Sequence, residues 1–394
     1  MRPPQNRLLV VDDEPAICMA IKRIAEPLGF IVQSLNQSAA FPQTVKEFQP
    51  SLLILDLKMP DCDGVQLLQQ LKEEQSEAQV IVISGMDQRK LNIAEKLGRS
   101  QGLKMAGVLH KPIKRADLEA KLREALTESQ EFSRKDLEVA ISEGQLVVHY
   151  QPKVSRASGA WVIDGAEALV RWMHPQHGLL PPGKFLGLIE EYELMDAMTS
   201  YVLGTSIQQL AEWKAQNLMV RLAVNLSASA IDDLRFPERI TGLLDKHGVP
   251  GSMLAIELTE STAMADTTKA MDIFLRLCVN DITLSIDDFG TGFSSLQQLY
   301  QLPFDELKID RMFVTGLPDD EEARAIVRAT VDMAHALSIK VCAEGVETRE
   351  ALDYLEAVNC DRAQGYFISP AIKAADFERF VASWNKANAS SIAH

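Results

Sequence analysis

Ile282-Thr283-Leu284-Ser285-Ile286-Asp287-Asp288-Phe289-Gly290-Thr291-Gly292 opens as an apolar strand, meets two adjacent carboxylates and leaves through a glycine-rich loop. Neighbouring residues of a strand point to opposite faces, so Asp287 and Asp288 share a site only where the strand ends and the chain turns. Two carboxylates brought close repel unless a cation lies between them, and a divalent metal is the usual answer. A polar loop with a helix N-cap is the plain alternative, and the surrounding chain decides between the two.

Around that stretch, strand and helix patterns alternate through residues 134–385. Apolar runs at Leu146–Val154, Glu167–Trp172, Val220–Leu226, Leu254–Leu258, Ile282–Ile286, Leu307–Ile309, Lys340–Ala343 and Ala363–Phe367 read as strands, with helical patterns between them. About 250 residues in this rhythm is the size of an eightfold β/α barrel, with a second doubly wound sheet as the alternative. A barrel carries its chemistry at the C-terminal ends of several strands. Here Glu167 lies on the second strand, Asn225 ends the third, Glu257 the fourth, and Asp287 and Asp288 the fifth. Lys308 sits on the sixth, Glu344 follows the seventh and Gln364 lies on the eighth. Oxygen donors without a His or Cys cluster suit Mg²⁺ or Mn²⁺ rather than zinc. Two such ions, about 3.5–4 Å apart, can activate water and steady the leaving oxygen of a phosphodiester.

The blocks Tyr150-Gln151-Pro152, Glu167-Ala168-Leu169-Val170-Arg171, Asn225-Leu226-Ser227, Glu257-Leu258-Thr259-Glu260, Asp287-Asp288-Phe289-Gly290, Leu307-Lys308-Ile309-Asp310, Glu344-Gly345-Val346-Glu347 and Gln364-Gly365-Tyr366 occur in that order. Together they resemble the EAL domain, the cyclic di-GMP phosphodiesterase family, over essentially the whole of 134–385. The resemblance implies a TIM-like (β/α)8 barrel that hydrolyses cyclic di-GMP to linear 5′-pGpG with two Mg²⁺ or Mn²⁺ ions. Glu167, Asn225, Glu257 and Asp287 would hold one metal, and Asp287 would bridge to a second that also draws on Asp288, through water or directly. Lys308 would touch the nucleophilic water or a phosphoryl oxygen. Glu344 would be the general base or a further ligand, and Gln364 would place the base or the water. Gln151, Arg171 and Glu347 resemble substrate contacts, Arg171 suiting phosphate through its fork of donors. Glu260 would anchor the 289–295 loop through that loop's backbone N–H groups. A catalytically silent cyclic di-GMP receptor is the rival function; lost metal ligands are its usual sign, and none is lost here.

Residues 1–126 repeat the alternation on a smaller scale. Strands at Leu8–Val11, Ile31–Leu35, Leu52–Leu55, Val80–Ile83 and Gly107–Leu109 are continuous Val/Ile/Leu runs, which suit a parallel sheet covered on both faces. Strand ends supply Asp12-Asp13-Glu14, Asp56, Ser84 and Lys111-Pro112, so carboxylates, a hydroxyl and an ammonium meet at one edge, where three carboxylates would bind Mg²⁺. With Val10-Val11-Asp12-Asp13-Glu14, Leu55-Asp56-Leu57-Lys58-Met59-Pro60, Ile83-Ser84-Gly85 and His110-Lys111-Pro112, the segment resembles a response-regulator receiver domain. By that resemblance a sensor histidine kinase is the phosphodonor and Asp56 accepts the phosphoryl group. Asp12, Asp13, Asp56 and the Lys58 carbonyl would handle one Mg²⁺, while Ser84 and Lys111 would hold phosphoryl oxygens. Val108 stands where the family often places an aromatic switch residue, which points to output coupling through another surface.

The bulk numbers agree with two such domains. The 394-residue chain is 46% hydrophobic and 24% charged, ordinary for a globular protein, and has no apolar run of membrane-spanning length. Its N-terminus lacks an apolar targeting segment, and a cytoplasmic location is the expectation. Five scattered cysteines favour reduced thiols over disulfides or a zinc site. Residues 1–126 carry 17 basic and 16 acidic residues, whereas 127–394 carry 23 and 39. That acidic second part, without a basic helix-turn-helix pattern, argues against DNA binding. Residues 127–133 read as a polar connector or as part of one helix running from 124 to 145, and 386–394 as a disordered tail. A homodimer or higher assembly through the EAL domain follows from the family resemblance.

Overall fold

The computed structural model describes residues 6–389 apart from 61–63, 75, 77, 87, 129–131, 158, 260, 261, 263–266, 291–298 and 300. The chain divides into two compact units, Met1–Glu131 and Phe132–His394.

The first unit is a five-stranded parallel sheet of β1 (Arg7–Val11), β2 (Ile31–Leu35), β3 (Leu52–Asp56), β4 (Gln79–Ser84) and β5 (Lys104–His110), in the order β2-β1-β3-β4-β5. Alternate residues feed two separate cores. Leu9, Val11, Leu53, Leu55, Val80 and Val82 pack on one side, and Leu8, Val10, Leu52, Ile54, Ile81 and Ile83 on the other. That division is why the strands read as unbroken apolar runs. Chain order reverses between β1 and β3, so the crevice beyond their C-terminal ends is the place this topology offers a site.

In the second unit, β6 (Leu146–Ala157), β7 (Ala160–His174), β9 (Arg221–Asn225), β10 (Leu254–Thr259), β11 (Thr283–Phe289), β12 (Glu306–Ile309), β13 (Lys340–Ala343) and β14 (Arg362–Gln364) close into an eight-stranded barrel. The short β8 (Gly178–Leu180) adds outside the ring, antiparallel to the end of β7. Seven barrel strands run parallel, but β6 is antiparallel to both its neighbours, β7 and β14. The cause is local. A tight hairpin closed at the Ala157–Ala160 pair, with Gly159 at φ 85°, joins β6 to β7, and a hairpin can only make an antiparallel pair. One apolar cluster fills the space between the strands and the surrounding helices, from Trp172 and Phe185 to Trp213, Phe274 and Phe377.

Several boundaries differ from the sequence expectation: β5 begins at Lys104 instead of Gly107, β6 runs on to Ala157, β14 ends at Gln364 instead of Phe367, and three further differences have a local cause. β7 begins at Ala160, ahead of Glu167, because Asp164 and Gly165 belong to the strand and not to a loop. A single helix from 124 to 145 does not form. Ser133 is extended (ψ 161°) and caps a new helix, Arg134–Ser142, while its backbone N–H donates to Asp136 Oδ2 at 2.8 Å. Residues 386–389 of the expected tail are helical, part of the last helix, Ala374–Ala389, and 390–394 lie outside the described residues. Asn385 accepts from Ile163 N at 2.7 Å, and Trp384 Nε1 donates to the Trp161 carbonyl at 2.9 Å. The helix expected over 294–301 lies outside the described residues except for Leu299 and Gln301. No helix among the described residues is long and apolar enough to cross a membrane.

Candidate active site

The Asp287-Asp288 pair is seated by a break in strand register. Ile286 pairs with Leu307 of β12, yet the next partner of Ile309 is Phe289, so an irregularity opens between Ile286 and Phe289. Asp288 takes a left-handed conformation there (φ 56°), its N–H donating to Asp287 Oδ1 at 2.9 Å, and Gly290 follows at φ 90°. A bulge of this kind re-aims side chains that a regular strand would send to opposite faces. One oxygen each from Asp287, Asp288 and Glu344 therefore falls within 4.8 Å of the others. Glu344 is set by the turn behind it. Gly345 has φ 71°, and a Cβ there would stand 2.4 Å from Arg311 Cβ.

Lys308, only 1% exposed, stands in the middle of the rim. Its Nζ is 2.6 Å from Glu344, 2.8 Å from Glu257, 3.1 Å from Asp287 and 3.8 Å from Glu167. Asn225 Nδ2 donates to Glu167 Oε1 at 2.8 Å, and Gln364 Nε2 donates to Glu167 Oε2 at 2.7 Å. Gln364 also donates to Gln151 Oε1 at 3.0 Å, and Gln151 donates to the Ser369 carbonyl at 3.1 Å. The ring is thus one connected network fed by seven strands and the turn after an eighth.

Its charges do not balance. Burial would push Glu257 up, but Lys153 and Lys308 on its two oxygens outweigh that and hold its carboxyl at about 2. Glu344 goes the other way: burial, only partly opposed by Lys308 and reinforced by Asp287, Glu167 and Glu257, lifts it to about 8. Burial and the neighbouring Asp287 lift Asp288 to about 6. Lys308 is driven well above its ordinary value because the carboxylates around it outweigh its burial. Raised carboxyl groups beside a saturated ammonium mean that the rim is short of positive charge. Gln364 Oε1 is also buried without a hydrogen-bond partner among the described residues. An all-oxygen donor set, an unpartnered buried oxygen and a deficit of positive charge fit a divalent cation among the Asp287, Asp288 and Glu344 oxygens, with Glu167, Asn225 and Glu257 on the same rim.

Two expected substrate contacts stand apart from this ring. Arg171, on β7 beyond Glu167, is half-buried and donates to the Val170 carbonyl at 2.9 Å. Glu347 is exposed in the loop after β13. Glu260 lies outside the described residues, as do positions 291–295 of the loop it was expected to anchor. Sequence reading missed Lys153, a second ammonium inside the barrel, which pairs with Glu257 Oε1. A signal for it existed: it lies two residues after Gln151 on the same strand, and residues two apart share a face.

The first unit gathers the expected groups at the C-terminal edge of its sheet. Lys111 Nζ lies 2.6 Å from Asp56 Oδ2, 2.9 Å from Asp12 Oδ2 and 3.2 Å from Glu14 Oε1. Burial lowers that ammonium, yet the bonds to Asp56 and Asp12 win and raise it. Asp12, Asp13 and Asp56 each present an oxygen within 4.8 Å of the others, a set suited to one cation. Ser84 is fully buried at the end of β4, and its Oγ accepts from Met86 N at 3.3 Å. Val108 packs half-buried against the core.

This architecture and these two acidic rims define a receiver joined to an EAL barrel. Residues 134–371 match the EAL domain, more than half of the chain, and residues 8–123 match the response regulator receiver domain. The protein belongs to the EAL domain family and carries a response regulator receiver domain. Among its relatives, the bifunctional diguanylate cyclase/cyclic di-GMP phosphodiesterase MucR of Pseudomonas aeruginosa is 40% identical over 240 residues, 61% of this chain and 35% of MucR. The cyclic di-GMP phosphodiesterase RocR of the same organism is 29% identical over 377 residues, covering 92% of this chain and 95% of RocR. A solved structure of the PaMucR phosphodiesterase in complex with c-di-GMP matches with a TM-score of 0.58 at 40% identity, over 62% of this chain and 98% of that one. The chain spans about a third of the length of MucR and of other relatives that it matches through the EAL domain.

Proposed function

We propose that the protein hydrolyses cyclic di-GMP to linear 5′-pGpG in a divalent-metal-dependent reaction, under the control of phosphorylation at Asp56. The observation that carries this reading is the convergence of Glu167, Glu257, Asp287 and Glu344 on Lys308 at the C-terminal rim of the barrel. What Mg²⁺ or Mn²⁺ supplies at such a rim is positive charge, to ionise a water and to screen the phosphodiester oxygens. With a cation at the rim to bring its raised carboxyl back down, Glu344 would take the proton of the attacking water. Lys308 Nζ, beside Glu344, is placed to donate to that water or to a non-bridging phosphoryl oxygen. The water oxygen bonds to phosphorus, the P–O3′ bond breaks, and the leaving 3′ oxygen takes up a proton. Gln364 and Asn225 keep Glu167 oriented while this happens, and Arg171 and Gln151 take the substrate's phosphate and guanine side. Purified protein incubated with cyclic di-GMP and Mg²⁺ or Mn²⁺ should yield 5′-pGpG by chromatography. Tight binding without any product would leave a receptor in place of the enzyme.

The receiver belongs to the same reading. Asp56 Oδ2 is held by Lys111 and its Oδ1 accepts from Lys58 N at 3.0 Å, which presents the carboxylate at the open edge of the sheet. A sensor histidine kinase is the phosphodonor, and phosphorylation acts by shifting the population of receiver conformations. With acetyl phosphate and Mg²⁺, intact-mass spectrometry should record one added phosphoryl group on the wild-type chain and none on Asp56→Asn. Labelling that survives the substitution would move the acceptor elsewhere. A homodimer through the EAL unit completes the proposal, and sedimentation velocity measures it.

A further inference from the structure

Below the rim, the barrel interior holds a second set of charges. Glu257, with no exposure at all, gives Oε2 to Lys308 at 2.8 Å and Oε1 to Lys153. Lys153 Nζ, on a side chain 4% exposed, lies 4.0 Å from Glu306 Oε1, and Ser285 Oγ donates to the same oxygen at 3.3 Å. Glu306 Oε2 takes Arg362 Nη1 at 2.7 Å, and Arg362 Nη2 reaches Asp164 Oδ2 at 2.9 Å. Charges alternate in sign from the acidic rim inward: Lys308, Glu257, Lys153, Glu306, Arg362, Asp164. A lysine buried this deeply is expensive, and it persists only where carboxylates flank it.

Resting on the phosphodiester reading above, we propose that Lys153 is a positioning residue for the metal site: it clamps the inner oxygen of Glu257 so that the outer oxygen faces the rim. The geometry makes the clamp specific. Glu257 has one oxygen on each lysine, and Lys308 is shared with three further carboxylates, whereas Lys153 touches none of the rim acids except Glu257. Without Lys153, a fully buried carboxylate oxygen would lose its partner, and the Glu257 carboxylate would rotate to recover one. That rotation moves its outer oxygen off the position it holds at the rim. Glu306, fixed by Arg362 and Ser285, holds Lys153 from the other side and sets how far its ammonium reaches.

The test is Mn²⁺ affinity, read by electron paramagnetic resonance on the full chain carrying Asp13→Ala to silence the receiver's acidic cluster. Lys153→Met should bind Mn²⁺ about 10- to 100-fold more weakly, the usual effect of removing a group that orients a metal ligand, with Lys153→Arg within about threefold of the parent. Hydrolysis at subsaturating Mn²⁺ should fall in parallel and recover as Mn²⁺ is raised, with KM for cyclic di-GMP unchanged. A lysine that only fills the barrel would lower the melting temperature and leave Mn²⁺ affinity where it was, which overturns the proposal. So would tighter binding in Lys153→Met, or an Arg variant no better than the Met one. Should Lys153→Met fail to fold, Lys153→Met/Glu306→Gln removes one charge of each sign, and the same affinity criterion applies to it. Failure of both to fold would make the lysine structural and end the proposal. A parent chain that binds Mn²⁺ but leaves cyclic di-GMP intact sinks the enzymatic reading alone, because the affinity comparison does not depend on turnover.

Discussion

Asp287→Asn is expected to abolish cyclic di-GMP hydrolysis while leaving the barrel folded. The side chain is 13% exposed and contributes nothing to the apolar core, so folding does not hinge on it. Its charge is another matter. Asp287 belongs both to the group around Lys308 and to the trio with Asp288 and Glu344, a position it shares with Glu344 alone among these carboxylates. Asparagine is the informative replacement because its carbonyl oxygen still accepts from Asp288 N, the bond that accompanies the left-handed turn. Loss of activity then reports the missing charge rather than a collapsed loop. Metal sites lose about 10- to 100-fold in affinity or activity when only a supporting residue is removed, so the loss here should exceed about 100-fold in kcat/KM. Asp287→Ala should do the same and in addition release Asp288. Wild-type turnover in Asp287→Asn across an Mn²⁺ titration would remove Asp287 from the chemistry.

Lys308→Met should have the largest effect on stability. It leaves Glu167, Glu257, Asp287 and Glu344 facing one another without the ammonium they share. Breaking a buried ion pair from one side costs about 3–5 kcal/mol, because the partner charge is left uncompensated. Here several partners are left, and Lys153 supports only Glu257. The metal-free variant should therefore unfold at a distinctly lower temperature than wild type. Mn²⁺ should raise its midpoint by more than it raises that of wild type, since the ion supplies charge where the lysine did. Scanning calorimetry with and without chelator measures both. Equal metal-induced shifts in the two proteins would mean that the cation does not bind among these carboxylates. Activity should be lost whatever the metal concentration, because among the described residues no other side-chain donor is recorded beside Glu344.

Sequence reached most of this rim because Asn225, Glu257, Asp287 and Asp288 close apolar runs, and such runs are legible as strands. It stopped short where polar residues lie inside the barrel. Lys153 falls inside an expected strand without a role and Asp164 ahead of one, since lysine and aspartate are rarely buried unless paired, and pairing depends on strands far apart in the chain. The same effect hid the first part of β7. Direction was illegible too: alternation of residue types marks β6 as a strand but does not say which way it runs. How Asp287 and Asp288 come to share a face depends on a register shift against β12, a property of two strands together. The last helix extended to Ala389 because Asn385 brackets the backbone of Ile163, a contact between residues at opposite ends of the second unit.

The reversed first strand decides where polypeptide can be attached. Because β6 runs against its neighbours, it starts at the rim that bears Lys308 and its carboxylates and descends away from it, with Gln151 beside Glu167 and Ser155 beside Arg362. Chain entering ahead of Leu146 therefore arrives on the working rim. The Phe132 ring packs tilted against Trp172, centroids 4.4 Å apart, and Gln145 accepts from the Trp172 indole at 3.0 Å, so this entry is fastened to the outgoing end of the strand that carries Glu167 and Arg171. In a barrel with all strands parallel, the same entry would open on the opposite rim. The Ala157–Ala160 hairpin occupies that opposite rim instead, which makes it the position for a graft or a permuted terminus that spares the chemistry, and makes the segment before Leu146 the position for one meant to govern it.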